Sequence, residues 1–383
     1  MFIRLKCNCF WFQKNYKTST LFFVLMNLIL GLAPMDWFTD NAFRLIAQRV
    51  FDMYWEKDKV DFQLRTEFMN ADGYCINPAW VLHHLVTSPE QKKCILQLFG
   101  WDIQTLKKAT VDVCKKYGDL FVGIELNLGC PAKNVMRCGW GARMLKNKQE
   151  TVEIIKSLAE LSTLPFSIKT RIWLTDNDLD AQKNMLIEAS KYCHIISIHG
   201  RTVQQWYAWE AQRDFAYDLK KTFIEKWITT KVIGNGSIKT YADCWERLKN
   251  LDWVMVGQAA IGNPWIFTPH QPTMLEKKQC VLEHLDLMIA NELYLKRMSE
   301  KLNFKKDIVP MPDLETLKKE ILPIKSWTQS FTIEDGRWLT EFRKHLFSYV
   351  KWIEQSKEFK VATNAIKDYQ ALVAHIEKFF NES

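Results

Sequence analysis

Short apolar runs recur along the first two thirds of the chain, and most end in glycine or a polar residue. They are LILGLAP (28–34), ILQLFG (95–100), VGIELNLG (122–129), FSIKTRI (166–172), IISIHG (195–200), KVIGNG (231–236) and WVMVGQ (253–258). Amphipathic stretches lie between them, Glu150–Leu161 and Leu179–Lys191 among them. Alternation of strand and helix predicts a parallel sheet. Strands that are almost continuously apolar predict burial on both faces. One more strand is expected near Asp61–Glu67, which completes the set for an α/β fold of the (β/α)8 TIM-barrel type. No G-x-G-x-x-G opens a helix after an early strand, which weighs against an open dinucleotide-binding sheet.

From about Pro272 the pattern changes. Strand signals stop, and helical periodicity covers Met274–Met298, Asp313–Glu320, Arg337–Ser356 and Val361–Phe380, with Pro310, Pro312 and Pro323 as breaks. This predicts a C-terminal all-helical domain. In the third stretch Trp338, Phe342, Leu346 and Tyr349 share one face. Arg337, Lys344 and Lys351 form a basic stripe beside Arg343 elsewhere on the same helix, where a plain solvated face is the competing explanation. The expected division is an N-terminal extension over 1–25, a barrel over 26–271 and a helical domain over 272–383.

The N-terminus imitates a membrane signal. Lys14 and Lys17 precede LFFVLMNLILGL (21–32). The run is shorter than the roughly 20 residues that span a bilayer. It leads directly into Ala33-Pro34-Met35, so it is read as the first barrel strand, with Met26 a natural alternative start.

Composition adds little to this picture. The net charge of +8 is a weak hint of a polyanionic partner. The ten cysteines form no disulfide framework, which points to a reduced, cytoplasmic protein. Cys7 and Cys9 make a lone C-x-C without a second pair at zinc-like spacing, so no metal site is expected. A monomer without a membrane partner is expected.

Function in such barrels collects at the C-terminal ends of the strands. The polar residues there are Gln97, Asn127, Cys130, Lys169, Arg171, His199, Arg201, Asn235 and Gln258. Each alone has an ordinary structural explanation; their recurrence at one end of successive strands does not. GNGSI (234–238) and GQAAIGNPW (257–265) place small residues between a strand and a helix, where backbone N–H groups can hold a phosphate. In FVGIELNLGCPAKNVMRCGWGARML (121–145) a strand delivers Cys130 into a glycine-rich loop with Lys133 and Arg137 nearby, a setting that displays a reactive thiol.

That last string resembles the signature of the tRNA-dihydrouridine synthases. APMDWFTDNAFR (33–44), LQLFG (96–100), SIKTRI (167–172), SIHGRT (197–202), IGNGSI (233–238) and VMVGQAAIGNPWIF (254–267) follow in the family's order. EFRKHLFSYVKW (341–352) resembles the start of its helical domain. The resemblance implies a flavoenzyme that reduces uridine in tRNA, with FMN across the barrel mouth and NADPH or NADH as reductant. Pro34, Met35, Gln97, Lys169 and His199 match positions around the flavin ring. Asn235, Gly236, Gly257 and Gln258 match phosphate positions. Asn127, Lys169, Arg171 and Arg201 match positions for substrate, and Cys130 matches the proton donor to C5. The chain departs from the family at Gln258, where arginine is usual, and at Trp140, where smaller residues are common. The alternatives are another FMN barrel acting on free pyrimidines, of the dihydroorotate dehydrogenase kind, and a non-catalytic tRNA-binding protein.

Overall fold

The computed structural model describes residues 28–55, 60–100, 102–172, 176–205, 209–301 and 338–383. Its centre is a closed barrel of parallel strands in sequential order. These are β1 (Leu28–Leu32), β2 (Val60–Asn70), β3 (Cys94–Phe99), β4 (Gly123–Leu128), β5 (Phe166–Arg171), β6 (Ile195–His199), β7 (Lys231–Asn235) and β8 (Trp253–Val256). Closure is made by β1 against β8, with Leu30 opposite Val254 and Leu32 opposite Val256. The expected extra strand is β2, longer than Asp61–Glu67 in both directions.

The strands are apolar on both faces, yet the two faces do different work. Even-numbered residues such as Leu30, Leu96, Ile124, Leu126, Ile168, Ile196, Val232 and Val254 join the core between sheet and helices. Odd-numbered Ala33, Ile95, Ile195, Ile233 and Met255 form a separate cluster inside the barrel. This is the two-residue period of a strand applied to a closed sheet. Only β2 breaks the parity. Its register against β3 shifts between Arg65 and Phe68, a bulge that adds one residue.

Helices cover the outside: α1 (Asn41–Tyr54), α2 (Ala71–Ile76), α3 (Leu82–Leu85), α4 (Ile103–Tyr117), α5 (Lys133–Arg137), α6 (Lys148–Leu161), α7 (Asp176–Ala189), α8 (Asp214–Glu225) and α9 (Tyr241–Glu246). Their starts carry the side chains that satisfy free N–H groups. Asp40 accepts from the Phe43 amide, Asp102 from that of Gln104 and Asn147 from that of Glu150. Thr240 and Asp243 form a reciprocal capping box at α9.

Among the described residues, further helices follow: α10 (Met274–Lys301), α11 (Trp338–Tyr349), α12 (Ser356–Thr363) and α13 (Tyr369–Glu382). The helical stretch expected over Val361–Phe380 is therefore two helices. The break falls where Asp368 turns extended and caps α13 through the Ala371 amide. The stretch expected to run to Ser356 stops at Tyr349, and α12 begins after Gln355 in a left-handed conformation. Asp313–Glu320, Arg337 and residues 1–27 lie outside the described residues.

These helices share a core with the barrel's own α1. Ala42, Leu45, Ile46 and Val50 pack in one cluster with Val281, Leu285, Phe342, Leu346 and Ile376. Polar contacts reinforce the seam. His345 Nε2 meets Asp40 Oδ2 at 3.1 Å, and Arg49 pairs with both Glu90 and Glu283. The loop after β8 also touches α11. A Cβ at Gly262 (φ +69°) would stand 2.4 Å from the Ser348 carbonyl carbon, so only glycine allows this approach. Among the described residues, no helix is long and apolar enough to cross a membrane.

Candidate active site

Inward-facing parity puts Gln97, Asn127, Lys169, Arg171, His199 and Asn235 inside the barrel toward its C-terminal mouth. Strand pairing sets them in rungs. Gln97 stands opposite Glu125, Asn127 opposite Lys169, Arg171 opposite His199, and His199 opposite Asn235. The structure thus gathers residues that lie far apart in the chain.

On the β2–β5 side they join Arg65 and Glu125 in one hydrogen-bonded chain. Arg65 Nε donates to both Glu125 oxygens (3.2 and 3.1 Å), and both side chains are fully buried. Gln97 Nε2 donates to Glu125 Oε1 (2.7 Å), and Ser197 Oγ donates to Oε2 (3.3 Å). Gln97 Oε1 accepts from Asn127 Nδ2 (2.9 Å). That fixes the Asn127 amide with its oxygen turned to the next loop, where it accepts from the Gly129 and Cys130 amides (3.0 and 2.9 Å). Arg171 Nε holds the Gly129 carbonyl from the other side (2.8 Å). Cys130 is therefore presented by a turn clamped at both ends.

The loop beyond Cys130 adds support from below. The Ala142 amide donates to the Cys130 carbonyl (3.2 Å). Gly141 has φ +56°, and a Cβ there would lie 2.7 Å from that carbonyl oxygen. Trp140 meets Phe99 edge-on with ring centroids 5.2 Å apart.

Burial raises the pKa of the half-buried Cys130 thiol, against the opposite pull of the Ala132 backbone, Arg171 and Lys169. The thiol is protonated at neutral pH. Burial lowers the Lys169 ammonium to about 8, helped by Arg171 and Arg65 and opposed by Glu125. At neutral pH it still carries its charge for the most part. His199 is pushed well below its ordinary value by burial and by Arg171, Lys169 and Arg201, so its ring is neutral.

On the β6–β8 side the backbone does more of the work. Arg201 Nη1 donates to His199 Nε2 (3.1 Å), which puts the ring proton on Nδ1. Arg201 also donates to the Trp209 carbonyl and to Ser237 Oγ (2.7 and 3.0 Å). Gly236 has φ +113°, and a Cβ there would lie 2.8 Å from both His199 Cδ2 and Ala211 Cβ. Asn235 Nδ2 donates to the Met255 carbonyl (2.8 Å). Gly257 lies against Met35, whose sulfur would be 3.7 Å from an added Cβ. Pro34 is half-buried just past β1, and Gln258 is exposed at the head of a short 3-10 turn.

Sequence reasoning missed Arg65, Glu125 and Ser197. The signal was available: Glu125 is an acid inside GIELNL, two residues before Asn127 and on the same face. It also missed a second polar cluster, where Asp40, His284 and His345 bring potential ligand atoms within 4.8 Å of one another. The spacing in sequence hides it, because one residue caps α1 and the others lie on α10 and α11. Here His284 Nδ1 meets the Tyr349 hydroxyl (3.2 Å) and His345 stacks on Phe43. Arg343 donates to the Asn364 and Ile366 carbonyls and so braces the break between α12 and α13.

The sequence model of the dihydrouridine synthase (Dus) family matches residues 31–383. The chain is 28% identical over 357 residues to tRNA-dihydrouridine synthase B of Pasteurella multocida, covering 91% of this chain and 92% of that protein. It is 26% identical over 361 residues to tRNA-dihydrouridine synthase B of Pseudomonas putida, covering 93% and 92%. With a family match that takes in the barrel mouth and the C-terminal helices alike, the chain belongs to the dihydrouridine synthase family.

Proposed function

We propose that this protein reduces the C5–C6 double bond of a uridine in tRNA to 5,6-dihydrouridine, with FMN held across the barrel mouth. The observation that carries the reading is the clamped Asn127–Cys130 turn facing Lys169 and Arg171. The donor set suits a flavin. Lys169, neutral His199, Gln97, Pro34 and Met35 would surround its ring. Asn235, Gly236, Gly257 and Gln258 would line its phosphate, where a Cβ on Gly236 would press on His199 and Ala211. When bound, FMN supplies the hydride that ends on C6, and NADPH or NADH restores it.

The protein's own residues do the rest. A uracil double bond accepts hydride poorly unless charge on its carbonyl is stabilised, and the Lys169 and Arg171 cations supply that stabilisation. Asn127 and Arg201 orient the base. Cys130 then gives its proton to C5, and the thiolate is reprotonated from solvent. A thiol whose pKa is raised by burial suits the role of acid, because it is protonated before the step. A base within folded RNA must leave its stack to reach the mouth. Residues 26–271 act as the catalytic domain and 272–383 as a tRNA-binding domain, in a monomeric cytoplasmic enzyme.

The test is direct. Purified protein should be yellow, and its flavin bands should bleach with NADPH. Unmodified tRNA should then gain dihydrouridine, and free pyrimidines should not react. A colourless protein that FMN cannot reconstitute would overturn the reading.

A further inference from the structure

Trp37 lies in the loop after β1, at the rim of the mouth, and combines features that packing does not explain. The residue is 53% exposed. Its backbone has φ +69°, a left-handed conformation that strains a bulky residue. The surroundings hold it there. The Trp37 amide donates to Glu67 Oε1 (2.6 Å), and the Phe38 and Thr39 amides donate to the Met35 carbonyl (3.1 and 2.9 Å). Strain that its neighbours over-determine, on an exposed aromatic, points to use of that ring.

Its neighbours say what the use is. Lys344 of α11 reaches across from the helical unit and sets Nζ over the ring, 4.5 Å from the centroid. The preceding Asp36 acts electrostatically on both Lys344 and the Cys130 thiol, so the loop that carries Trp37 lies near both the thiol and α11. A second pair continues the pattern past the end of α11. Lys351 Nζ lies over Trp352, which is 87% exposed, at 4.7 Å. Aromatic faces interleaved with cations form a platform for unpaired nucleotides, whose bases stack and whose phosphates pair with the charge.

We propose that Trp37 stacks a tRNA base flanking the extruded uridine, while Lys344 pairs with the phosphate beside it. This rests on the reading of the mouth as a tRNA-uridine site. Turning one base out leaves its neighbours partly unstacked, and a rigid indole at the rim replaces the lost contact. The partner is thereby narrowed to a single-stranded or loop segment of the RNA.

The informative variant is Trp37→Gly, because glycine adopts the positive φ freely and the fold should hold or gain in melting temperature. Trp37→Phe keeps an aromatic face, and Lys344→Gln removes only the charge. The full protein is titrated with an unmodified tRNA transcript at low and moderate salt, and dihydrouridine formation is followed in parallel. Trp37→Gly should weaken binding about five- to a hundredfold at both salts and raise the KM for tRNA with it. Trp37→Phe should stay close to the parent. Lys344→Gln should weaken binding at low salt, with the deficit shrinking as salt rises. If the parent forms dihydrouridine and Trp37→Gly matches it in affinity and KM, the stacking role is wrong while the function stands. If the parent forms none under reducing conditions, the functional reading and this proposal fall together.

Discussion

The two halves of the barrel mouth position their groups by different means. Between β2 and β5 the side chains do it: Arg65, Glu125, Gln97 and Asn127 form a buried relay that ends on the Cys130 amide. Between β6 and β8 the backbone does more, through Gly236 at positive φ and Gly257 against Met35. The difference follows from the tasks proposed for them. A proton donor must be aimed to within tenths of an ångström, and a chain of satisfied hydrogen bonds gives that rigidity. A cofactor must be approached closely along its length, and that needs the absence of side chains.

The largest effect that would test this contrast is loss of the aimed group. Cys130→Ala should slow tRNA reduction by about 10²–10⁴-fold. FMN content and bleaching by NADPH should persist, because the role proposed for the thiol lies only in the second half-reaction. Full tRNA reduction by that variant would move the proton elsewhere, with the exposed Cys138 next to be tried.

A matched pair of glycine substitutions should separate the two halves. Gly141→Ala adds a Cβ 2.7 Å from the Cys130 carbonyl oxygen, and Gly236→Ala adds one 2.8 Å from His199. Each should lower stability by at least about 1–2 kcal/mol, read from thermal melts. The first should cut tRNA reduction while retaining flavin. The second should lose flavin. Equal loss of flavin in both would mean that the halves are not functionally distinct.

The pH profile bears on the side-chain half alone. The Lys169 ammonium is held at about 8, below its ordinary value, so its charge disappears as pH rises through that point. The kcat/KM for tRNA should fall about tenfold per pH unit above roughly 8. Lys169→Arg should move this limb upward, because a guanidinium stays charged. A limb that does not move would assign it to another group.

The smallest effect concerns Gln258, exposed where the resemblance leads one to expect arginine. If the backbone already carries the phosphate grip, Gln258→Arg should tighten FMN binding only a few-fold, in line with the roughly 0–1 kcal/mol of an exposed charge pair. A gain of a hundredfold would show that the backbone half depends on side-chain charge after all.

Much of this was legible in the sequence for a definite reason. Barrel strands must be apolar on their outer face, so a period of two is written into them. Leu96, Gln97 and Leu98, or Leu126, Asn127 and Leu128, announce both the strand and its inward polar residue. Glu125 obeyed the same parity and was passed over only because a lone acid in an apolar strand has several explanations. Arg65 was harder to see, since its partner lies 60 residues away and the bulge after it resets the parity of β2.

What the sequence determined by itself was the local grammar: strand, turn, cap and the glycines that allow left-handed backbone. These depend on residues within a few positions of one another, so their physics is carried in short strings. Tertiary structure decided what depends on meetings between distant segments. It set the protonated thiol of Cys130, the neutral ring of His199 and the lowered Lys169, because burial and through-space charge fix those states. It joined Asp40 to His345 across 305 residues and laid Lys344 over Trp37. It also split the last helical stretch in two, because Arg343 ties down the carbonyls at the break. A helical period alone cannot register such a contact, since it comes from another element altogether.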